Sequence, residues 1–590
     1  MTVVVTPQQL EIVEAIEQEL ESASRKRYFK VVSAVVQKST IAIKVRSHLN
    51  RGKLDYTLEG GVASWGQSVS TVVAVSVDDS IVYVHRIDAP VPVAGTEMAV
   101  QPPRFLESLL QCWKDETIAT ECFSWAAHAL VGRDRCPLVL SSSFSELRER
   151  QRSAYSLLSY RAGFLWGPPG TGKTRTAASI VADLVTANSD ARVLLFAPTN
   201  SAVDQLLTAV DERLSLTSRG QLLRTHCARF GSNFVARYYE KRQHLLPLDS
   251  EELVLRKARL EANRPSADEV EARAVWEREM DPILASLRSL MQTVLQEKRV
   301  VAMTAILGTM HYRLLQERSP FDVIVFDEAS QMGRAISFIL APLARCALVA
   351  GDPKQLAPIF TSTYPVVRKW FGHTLFDQYM HDGHPSTCFL NEQSRMAVAI
   401  CGLVSEIFYR GELRVSHDCL RDSGWHAARE PFSLFPGGRK HNIHLVKVDA
   451  ESEPHSGSHR RPESAKIVAA IVQQLIRRTG PAHILVLTPF VAQKKLIRDT
   501  LNARGLRKVR VSTVHAAQGS EMHTIIFDPV KGNSRFLTNP GTGARLFNVA
   551  ISRAQACFVL LASVGDLEHP LLSAIADYIR SAPDPPTNGF

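Results

Sequence analysis

The stretch GPPGTGKT, from Gly167 to Thr174, has residue types and spacing suited to binding phosphate groups. It follows the apolar run GFLW and precedes the amphipathic run RTAASIVADLV, an order that predicts a strand, a loop and a helix. Lys173 can neutralise the β and γ phosphates, and Thr174 offers a hydroxyl to Mg²⁺. The backbone N–H groups that approach phosphate are expected from Gly167, Gly170, Thr171 and Gly172. The stretch therefore predicts a site for a nucleoside triphosphate and Mg²⁺.

Two carboxylates stand at the end of a second apolar run, VIVFDEAS. Asp327 would hold Mg²⁺ through water, and Glu328 would orient or deprotonate the water that attacks the phosphate. An Asp-Glu pair at a strand end can instead cap the next helix. The phosphate-binding stretch favours the catalytic interpretation.

A glutamine follows a third apolar run, CALVA, in the segment GDPKQLAP. The amide of Gln355 would then lie at the same edge of the sheet, where it can bond both the γ-phosphate and the attacking water. Taken alone, the segment would be only a polar loop.

Strand and helix patterns alternate along most of the chain and predict α/β architecture. Near-continuous apolar strands such as RVLLFAPT and DVIVFDEAS, separated by helical text, indicate a parallel sheet covered on both faces. A second series with HILVLTPF and TIIFDPV begins near Cys388. One long predicted helix and then a β-rich segment precede both series. A charged segment with a helical pattern interrupts the first series. A pair of solvated surface helices is as good an interpretation of this segment as a direct binding role.

Composition indicates an ordinary soluble protein of several domains. The chain has 590 residues, of which 45% are hydrophobic and 22% charged, with a formal net charge of +10. That excess favours partners that carry phosphate but is spread too widely to identify one. Nine scattered cysteines without a CxxC pair argue against a zinc module and fit a reducing intracellular compartment. No signal peptide or membrane span is expected.

Seven segments occur in the order found in superfamily 1 helicases: GPPGTGKT, APTNSAVDQL, FDEASQ, GDPKQLAP, LNEQSRM, VSTVHAAQGSE and NVAISRA. The series most resembles the 5′→3′ branch that includes the nonsense-mediated-decay RNA helicase, and it extends from Gln151 to Arg553. The resemblance implies two RecA-like domains that face each other, with the nucleotide in the cleft between them and single-stranded nucleic acid across their top. The expected organisation is a stalk helix (1–30), a small β-barrel (31–102), a first RecA-like domain (103–210 and 298–380), a helical insertion (211–297), a second RecA-like domain (381–580) and a disordered tail (581–590).

The resemblance also implies roles for residues outside the phosphate loop. Arg395 and Arg553 match arginines that reach the γ-phosphate, whereas a lone arginine would usually form a surface ion pair. Glu521 matches an acidic residue near the ribose and the lysine of the phosphate loop. Gln151 is the candidate for reading the adenine edge. The chain departs from the family where Arg148 replaces an asparagine and where Ser394 replaces a tyrosine that can stack on the base.

Nucleic-acid contacts are expected from polar residues at strand and helix ends, since hydroxyls and backbone N–H groups there suit a sequence-independent grip on phosphates and sugars. Each would be a routine cap if taken alone. The candidates at positions that match the family are Thr199, Asn200, Thr304, Thr488, Thr513 and His515.

We therefore expect an ATP- and Mg²⁺-dependent helicase or translocase that acts as a soluble, intracellular monomer on single-stranded RNA or DNA. Direction, 5′→3′, is implied by the resemblance alone. An ATP-controlled nucleic-acid clamp or recruitment switch without unwinding is the alternative. Neither RNA nor DNA is favoured, since contacts to phosphates and stacked bases serve both.

Overall fold

The computed structural model describes most of the chain and groups it into two compact units. Outside the described residues lie 1–5, 24–25, 37–39, 48–53, 55–57, 59–60, 77–79, 86–89, 103–104, 131, 133–134, 232–233, 247–250, 264, 266–269, 380–383, 436, 456, 518–520, 540 and 583–590. The first unit comprises Met1–Trp166, Lys173–Gly351 and Pro358–Phe389. The second comprises Gly167–Gly172, Asp352–Ala357 and Leu390–Phe590.

The first unit begins with a helix and a closed barrel. Helix α1 (Pro7–Ala23) is followed by β1 (Arg27–Val36), β2 (Thr40–Ser47), β3 (Val62–Trp65), β4 (Ser68–Ser76), β5 (Ile81–His85) and β6 (Glu97–Gln101), and these strands close in the order β1-β2-β5-β4-β3-β6. Alternating apolar side chains such as Ile41, Ile43 and Val45 fill the barrel interior.

The barrel starts earlier than the predicted boundary at residue 31. Tyr28 and Phe29 pair with Ala99 and Met98 of β6, and Phe29 is fully buried in the barrel core. The stalk helix, predicted to reach residue 30, therefore ends before β1.

A seven-stranded sheet forms the centre of the first unit, in the order β13-β7-β12-β11-β8-β10-β9. Every pairing in it is parallel. Its strands are β7 (Ala162–Trp166), β8 (Val193–Ala197), β9 (Cys227–Arg229), β10 (Val300–Thr304), β11 (Phe321–Phe326), β12 (Ala344–Gly351) and β13 (Thr387–Phe389). The accompanying helices are α2 (Phe105–Lys114), α3 (Glu116–Ala129), α4 (Glu149–Ser153), α5 (Lys173–Ala187), α6 (Asn200–Ser215), α7 (Ser218–Leu223), α8 (Glu251–Ala262), α9 (Val270–Glu297), α10 (Ala305–Met310), α11 (Tyr312–Glu317), α12 (Arg334–Leu340), α13 (Pro365–Phe371) and α14 (Leu375–Tyr379).

Two strands of this sheet lie outside the ranges expected for the first α/β domain. Strand β9 comes from the predicted helical insertion, where its Cys227 pairs with Val300. Strand β13 lies beyond the predicted boundary at residue 380, and its Thr387 pairs with Phe164 of β7. Both are three-residue strands, too short to produce a recognisable apolar run in the sequence.

The second unit is built on a five-stranded sheet in the order β16-β22-β21-β19-β20, again with parallel pairing throughout. Its strands are β16 (Ile443–Lys447), β19 (Ile484–Thr488), β20 (Arg510–Thr513), β21 (Met522–Phe527) and β22 (Ala554–Ala562), and two-stranded pairs are formed by β14 (Glu392–Gln393) with β15 (Arg414–Val415) and by β17 (Glu453–His455) with β18 (Ser458–Arg460). Its helices are α15 (Val398–Phe408), α16 (His417–Arg421), α17 (Ser423–Ala427), α18 (Pro462–Thr479), α19 (Val491–Ala503), α20 (Gly543–Ser552) and α21 (Pro570–Ser581). The prediction of two parallel α/β sheets in tandem is confirmed.

The C-terminal end of the chain adds one correction. The predicted disordered tail began at residue 581, but Ser581 is still part of α21. The remainder of that tail, 583–590, lies outside the described residues.

A buried ion network ties three segments of the second unit together. Arg461, at the N-cap of α18, donates from its two terminal nitrogens to Asp528 and Asp566, each at 2.6 Å. Asp528 also accepts from Ser464 at 2.5 Å and from Gln493 at 2.8 Å. Asp528 follows β21 and Asp566 follows β22, so the network joins the ends of these strands to the start of α18.

The nine cysteines, all within the described part of the chain, are buried free thiols. No helix among the described residues is long and apolar enough to cross a membrane.

Candidate functional site

The phosphate-loop stretch has the local geometry its sequence predicts. Strand β7 ends at Trp166 and helix α5 begins at Lys173. Between them the hydroxyl of Thr171 donates to the carbonyl of Pro168 at 2.7 Å, which tightens the loop. Gly170 and Gly172 have φ of +79° and +82°, the left-handed region that residues with a Cβ rarely adopt.

The first unit places the predicted metal residues in direct contact. The hydroxyl of Thr174 donates to Oδ2 of Asp327 at 2.7 Å, and the backbone N–H of Glu328 donates to Oδ1 at 3.0 Å. Asp327 is only 2% exposed. Burial, followed by the charge of Glu328, raises the pKa of Asp327 to about 6, although Thr174 and Lys173 act in the opposite direction. The neighbouring residues therefore do not fully compensate the negative charge of the ionised Asp327 carboxylate.

This donor set fits Mg²⁺. A hydroxyl and a carboxylate 2.7 Å apart match the small number of protein ligands that Mg²⁺ usually takes at a phosphate site, where phosphate oxygens and waters supply the rest. A divalent cation would also stabilise the buried carboxylate of Asp327, because it supplies the missing positive charge.

Glu328 has a strained backbone. Its φ of 51° and ψ of 35° place a residue other than glycine in the left-handed region. The amide of Gln331 donates to its carboxylate at 3.1 Å. The carboxylate of Asp327 instead accepts from Thr174, so the two adjacent carboxylates have different side-chain partners.

Gln151 is buried and acts as part of a helix cap. Its Oε1 accepts a hydrogen bond from the backbone N–H of Arg148 at 3.0 Å, at the start of α4. The oxygen of its amide is therefore engaged by the backbone.

In the second unit the loop glycine Gly170 lies against the LNEQSRM segment. Ser394 donates its backbone N–H to the carbonyl of Gly170 at 3.2 Å. A Cβ added to Gly170 would come within 2.7 Å of the Cβ of Arg395. Glycine is thus required at this position by both its backbone conformation and the close approach of Arg395.

The second unit also pairs two predicted nucleotide residues with each other. The guanidinium of Arg395 forms an ion pair with Glu521, and its Nη1 donates to the carbonyl of Ser552 at 3.4 Å. Arg553, the residue after Ser552, is buried at 5% exposure directly after α20. Arg395 and the segment before Arg553 are therefore in contact. The neighbouring residues 518–520 of the same motif lie outside the described residues.

Gln355 is held by the carboxylate of Asp352, the residue that directly follows β12. Its Nε2 donates to Oδ2 of Asp352 at 3.0 Å, and both side chains are buried. The amide orientation of Gln355 is thus set within the loop that follows β12.

The nucleic-acid candidates of the first unit cluster at neighbouring strand ends. Thr304 pairs with Ala197 in the sheet, two residues before Thr199. Thr199 caps α6 by accepting from Ala202 at 3.2 Å, and Thr304 caps α10 in the same way at 3.3 Å. Asn200 accepts from Nη2 of the buried Arg229 at 2.7 Å. Both threonines therefore perform the helix-capping role that is the ordinary alternative to binding nucleic acid.

The corresponding candidates of the second unit also meet at one sheet edge. Thr488 and Thr513 are paired residues of β19 and β20. Thr488 is fully buried, whereas Thr513 is half-buried. The ring of His515 lies 6.1 Å from that of Phe536, which is 40% exposed. A surface with an exposed aromatic ring next to polar strand ends suits stacking on bases.

Sequence reasoning missed the side chains that surround Ser394. Trp425 donates from its indole nitrogen to the carbonyl of Ser394 at 2.7 Å. Arg429 donates to the carbonyl of Arg395 at 2.9 Å and lies over the Trp425 ring, 4.3 Å from its centre. These residues lie about thirty positions further along the chain, and no local pattern marks them as neighbours of the motif.

Comparison with protein families finds a match for two long segments of the chain. Two family models, each described as an AAA domain, match the chain, one at residues 146–246 and 234–363 and the other at residues 371–565.

The chain is also similar to curated proteins from several organisms. Regulator of nonsense transcripts 1 homolog of Neurospora crassa is 26% identical over 440 residues, covering 70% of this chain and 37% of that protein. DNA-binding protein SMUBP-2 of Mesocricetus auratus is 25% identical over 465 residues, covering 75% of this chain and 45% of that protein. The chain therefore spans less than half the length of these relatives. Among solved structures, the Arterivirus nonstructural protein 10 helicase is 12% identical and covers 97% of this chain and 83% of its own, with a TM-score of 0.43.

Proposed function

Because the chain belongs to superfamily 1 of the helicases, in the branch that includes Regulator of nonsense transcripts 1 and SMUBP-2, we propose that it is an ATP-dependent helicase or translocase. Its substrate is single-stranded RNA or DNA, and it works as a monomer. The observation that carries this proposal is the contact between Thr174 and the buried Asp327, directly after the lysine of the phosphate loop.

Residues of the first unit bind and activate the nucleotide. Lys173 neutralises the β and γ phosphates, while Thr174 and Asp327 hold Mg²⁺. When bound, Mg²⁺ supplies positive charge to the phosphate oxygens. Glu328 orients the attacking water or accepts its proton, and its strained backbone supports this role because strain of that kind is concentrated at functional sites.

Residues of the second unit act on the same nucleotide. Arg395 and Arg553 neutralise charge on the γ-phosphate in the transition state, and Gln355 responds to the γ-phosphate and the attacking water. The contact of Arg395 with the carbonyl of Ser552 supports a joint role for the two arginines. Glu521 contributes near the ribose, and Gln151 contributes at the base.

Polar residues at the strand ends grip the nucleic acid. Thr199, Asn200 and Thr304 do so in the first unit, and Thr488, Thr513 and His515 do so in the second. Contacts of this type go to phosphates and sugars and carry no sequence information, which suits a motor that moves along a strand. Alternating grip converts the cycle of binding and hydrolysis into 5′→3′ steps.

Steady-state ATP hydrolysis, measured with and without single-stranded RNA or DNA at matched salt, tests the enzyme. Salt must be matched because it alone shifts nucleic-acid affinity by orders of magnitude. Hydrolysis should be stimulated by at least one of the strands, and Lys173→Ala or Glu328→Gln should abolish it. Near-normal turnover in either variant would contradict the site.

Displacement assays on duplexes with 5′ or 3′ tails test the motor. We expect unwinding only from a 5′ tail. Strand-stimulated hydrolysis without displacement from either tail would instead indicate an ATP-controlled clamp. Comparing RNA with DNA tails identifies the substrate, which the relatives' names leave open, since one refers to transcripts and another to DNA.

A further inference from the structure

A buried carboxylate in the loop after β12 collects three hydrogen bonds. Asp352 is 1% exposed. Its Oδ2 accepts from the hydroxyl of Tyr409 at 2.6 Å and from the amide of Gln355 at 3.0 Å. Its Oδ1 accepts from the backbone N–H of Lys354 at 3.1 Å. The same oxygen therefore holds both the glutamine and a tyrosine that lies more than fifty residues further along the chain.

The tyrosine is in turn held by an asparagine on α20. Nδ2 of Asn548 donates to the hydroxyl of Tyr409 at 2.8 Å and to the carbonyl of Lys354 at 2.8 Å. A carbonyl can only accept, so the nitrogen of Asn548 must face this loop. Tyr409 accepts from Asn548 and donates to Asp352, which gives the hydrogen bonds one consistent direction.

Electrostatics keep the tyrosine in its donating form. Burial and the neighbouring charge of Asp352 raise the pKa of Tyr409 well above 10. The hydroxyl consequently stays protonated at neutral pH and can donate to the carboxylate of Asp352.

We propose that Tyr409 and Asn548 are positioning residues for Gln355, which they orient through the carboxylate of Asp352. This inference rests on the proposed function, in which Gln355 responds to the γ-phosphate. Without the hydroxyl of Tyr409, the Asp352 carboxylate can turn, and the amide of Gln355 turns with it. Because Asn548 lies on the helix that Arg553 follows, the same contacts make the placement of Gln355 depend on the helix that presents an arginine.

Tyr409→Phe tests the proposal, because it removes only the hydroxyl. The strand-stimulated kcat should fall about tenfold, the loss of a single hydrogen bond to a charged group, while KM for ATP stays within about twofold because substrate binding is untouched. Tyr578→Phe is the matched control, since Tyr578 is a half-buried tyrosine of the same unit. The kcat of the Tyr578→Phe variant should be unchanged. Asn548→Ala should reproduce the effect of Tyr409→Phe.

A double-mutant cycle separates positioning from mere stability. In a Gln355→Ala background, Tyr409→Phe should lower kcat less than about twofold, because the group it orients is gone. An equal loss in both backgrounds, or an unchanged kcat in Tyr409→Phe, overturns the proposal.

A crystal structure of nucleotide-free Tyr409→Phe gives a readout independent of turnover. The Asp352 carboxylate and the Gln355 amide should both be turned away from their orientations in the unmodified protein, and a Gln355 amide that keeps its original orientation overturns the inference. If the unmodified protein hydrolyses no ATP, the proposed function fails, and the crystal structure still decides whether Tyr409 orients Gln355.

Discussion

The guanidinium of Arg395 is paired with the carboxylate of Glu521. Glu521 is 44% exposed and Arg395 21% exposed, so solvent screens the pair. Ion pairs of this kind usually contribute between about 0 and 1 kcal/mol. In the proposed cycle, Arg395 would therefore exchange Glu521 for a phosphate oxygen at little energetic cost.

This relationship predicts unequal effects for the two partners. Arg395→Ala should lower kcat by about a thousandfold, because an arginine that neutralises transition-state charge contributes at least that much. Glu521→Gln keeps the shape but removes the charge, and it should change kcat less than about tenfold. Steady-state ATP hydrolysis measures both, and comparable losses would show that the ion pair, not the arginine, is what matters.

Asp327→Asn should stabilise the nucleotide-free protein while abolishing Mg²⁺-dependent hydrolysis. The folded-state pKa of about 6 exceeds the ordinary 3.8, so ionisation of Asp327 reduces stability as pH rises through this window. Asparagine cannot ionise, so at pH above about 7 the variant should gain up to about 3 kcal/mol, or a few degrees in Tm.

The gain from Asp327→Asn should vanish below pH of about 4, where the carboxyl is protonated in both states. Thermal unfolding without Mg²⁺ across this range is the measurement, and Asp499→Asn, at an exposed site on α19, is the control. A gain that is independent of pH would contradict the electrostatic explanation.

Gly170→Ala should weaken nucleotide binding more than backbone strain alone explains. Gly505→Ala is the matched control, because Gly505 has a similar φ of +75° but its added Cβ would meet open space. Both variants should lose about 1 kcal/mol of stability from the left-handed backbone. Only Gly170→Ala also meets Arg395, so titration with a fluorescent ATP analogue should show at least about tenfold weaker binding for that variant alone.

The buried network around Arg461 predicts a large loss of stability. Arg461→Met would leave Asp528 and Asp566 buried without their cation, a change that typically costs about 3 to 5 kcal/mol. Lys466→Met removes the exposed pair with Glu463 and should cost less than about 1 kcal/mol. Urea midpoints of the full chain compare the two, and similar midpoints would mean that the buried charges contribute little net stability.

The local parts of the nucleotide site could be predicted from the sequence. Lys173 and Thr174 lie where a strand, a glycine-rich loop and a helix follow one another, and that geometry depends on neighbours along the chain. Asp327 could be assigned because parallel strands bring their carboxyl ends to one sheet edge, which makes its approach to Thr174 a consequence of topology. The same rule explains why Thr488 and Thr513, at the ends of two neighbouring parallel strands, are paired residues.

Only the tertiary structure decided which distant side chains orient these groups. Nothing near Tyr409 in the sequence indicates that its hydroxyl bonds Asp352, and nothing near Gly170 indicates that Arg395 approaches it within van der Waals contact. Strands β9 and β13 were missed for the same reason, since three residues carry too little periodicity and are held by pairing with long neighbours. Short-range patterns determine elements and motifs, whereas packing between residues far apart in the chain determines which hydrogen bonds set the orientation of Gln355.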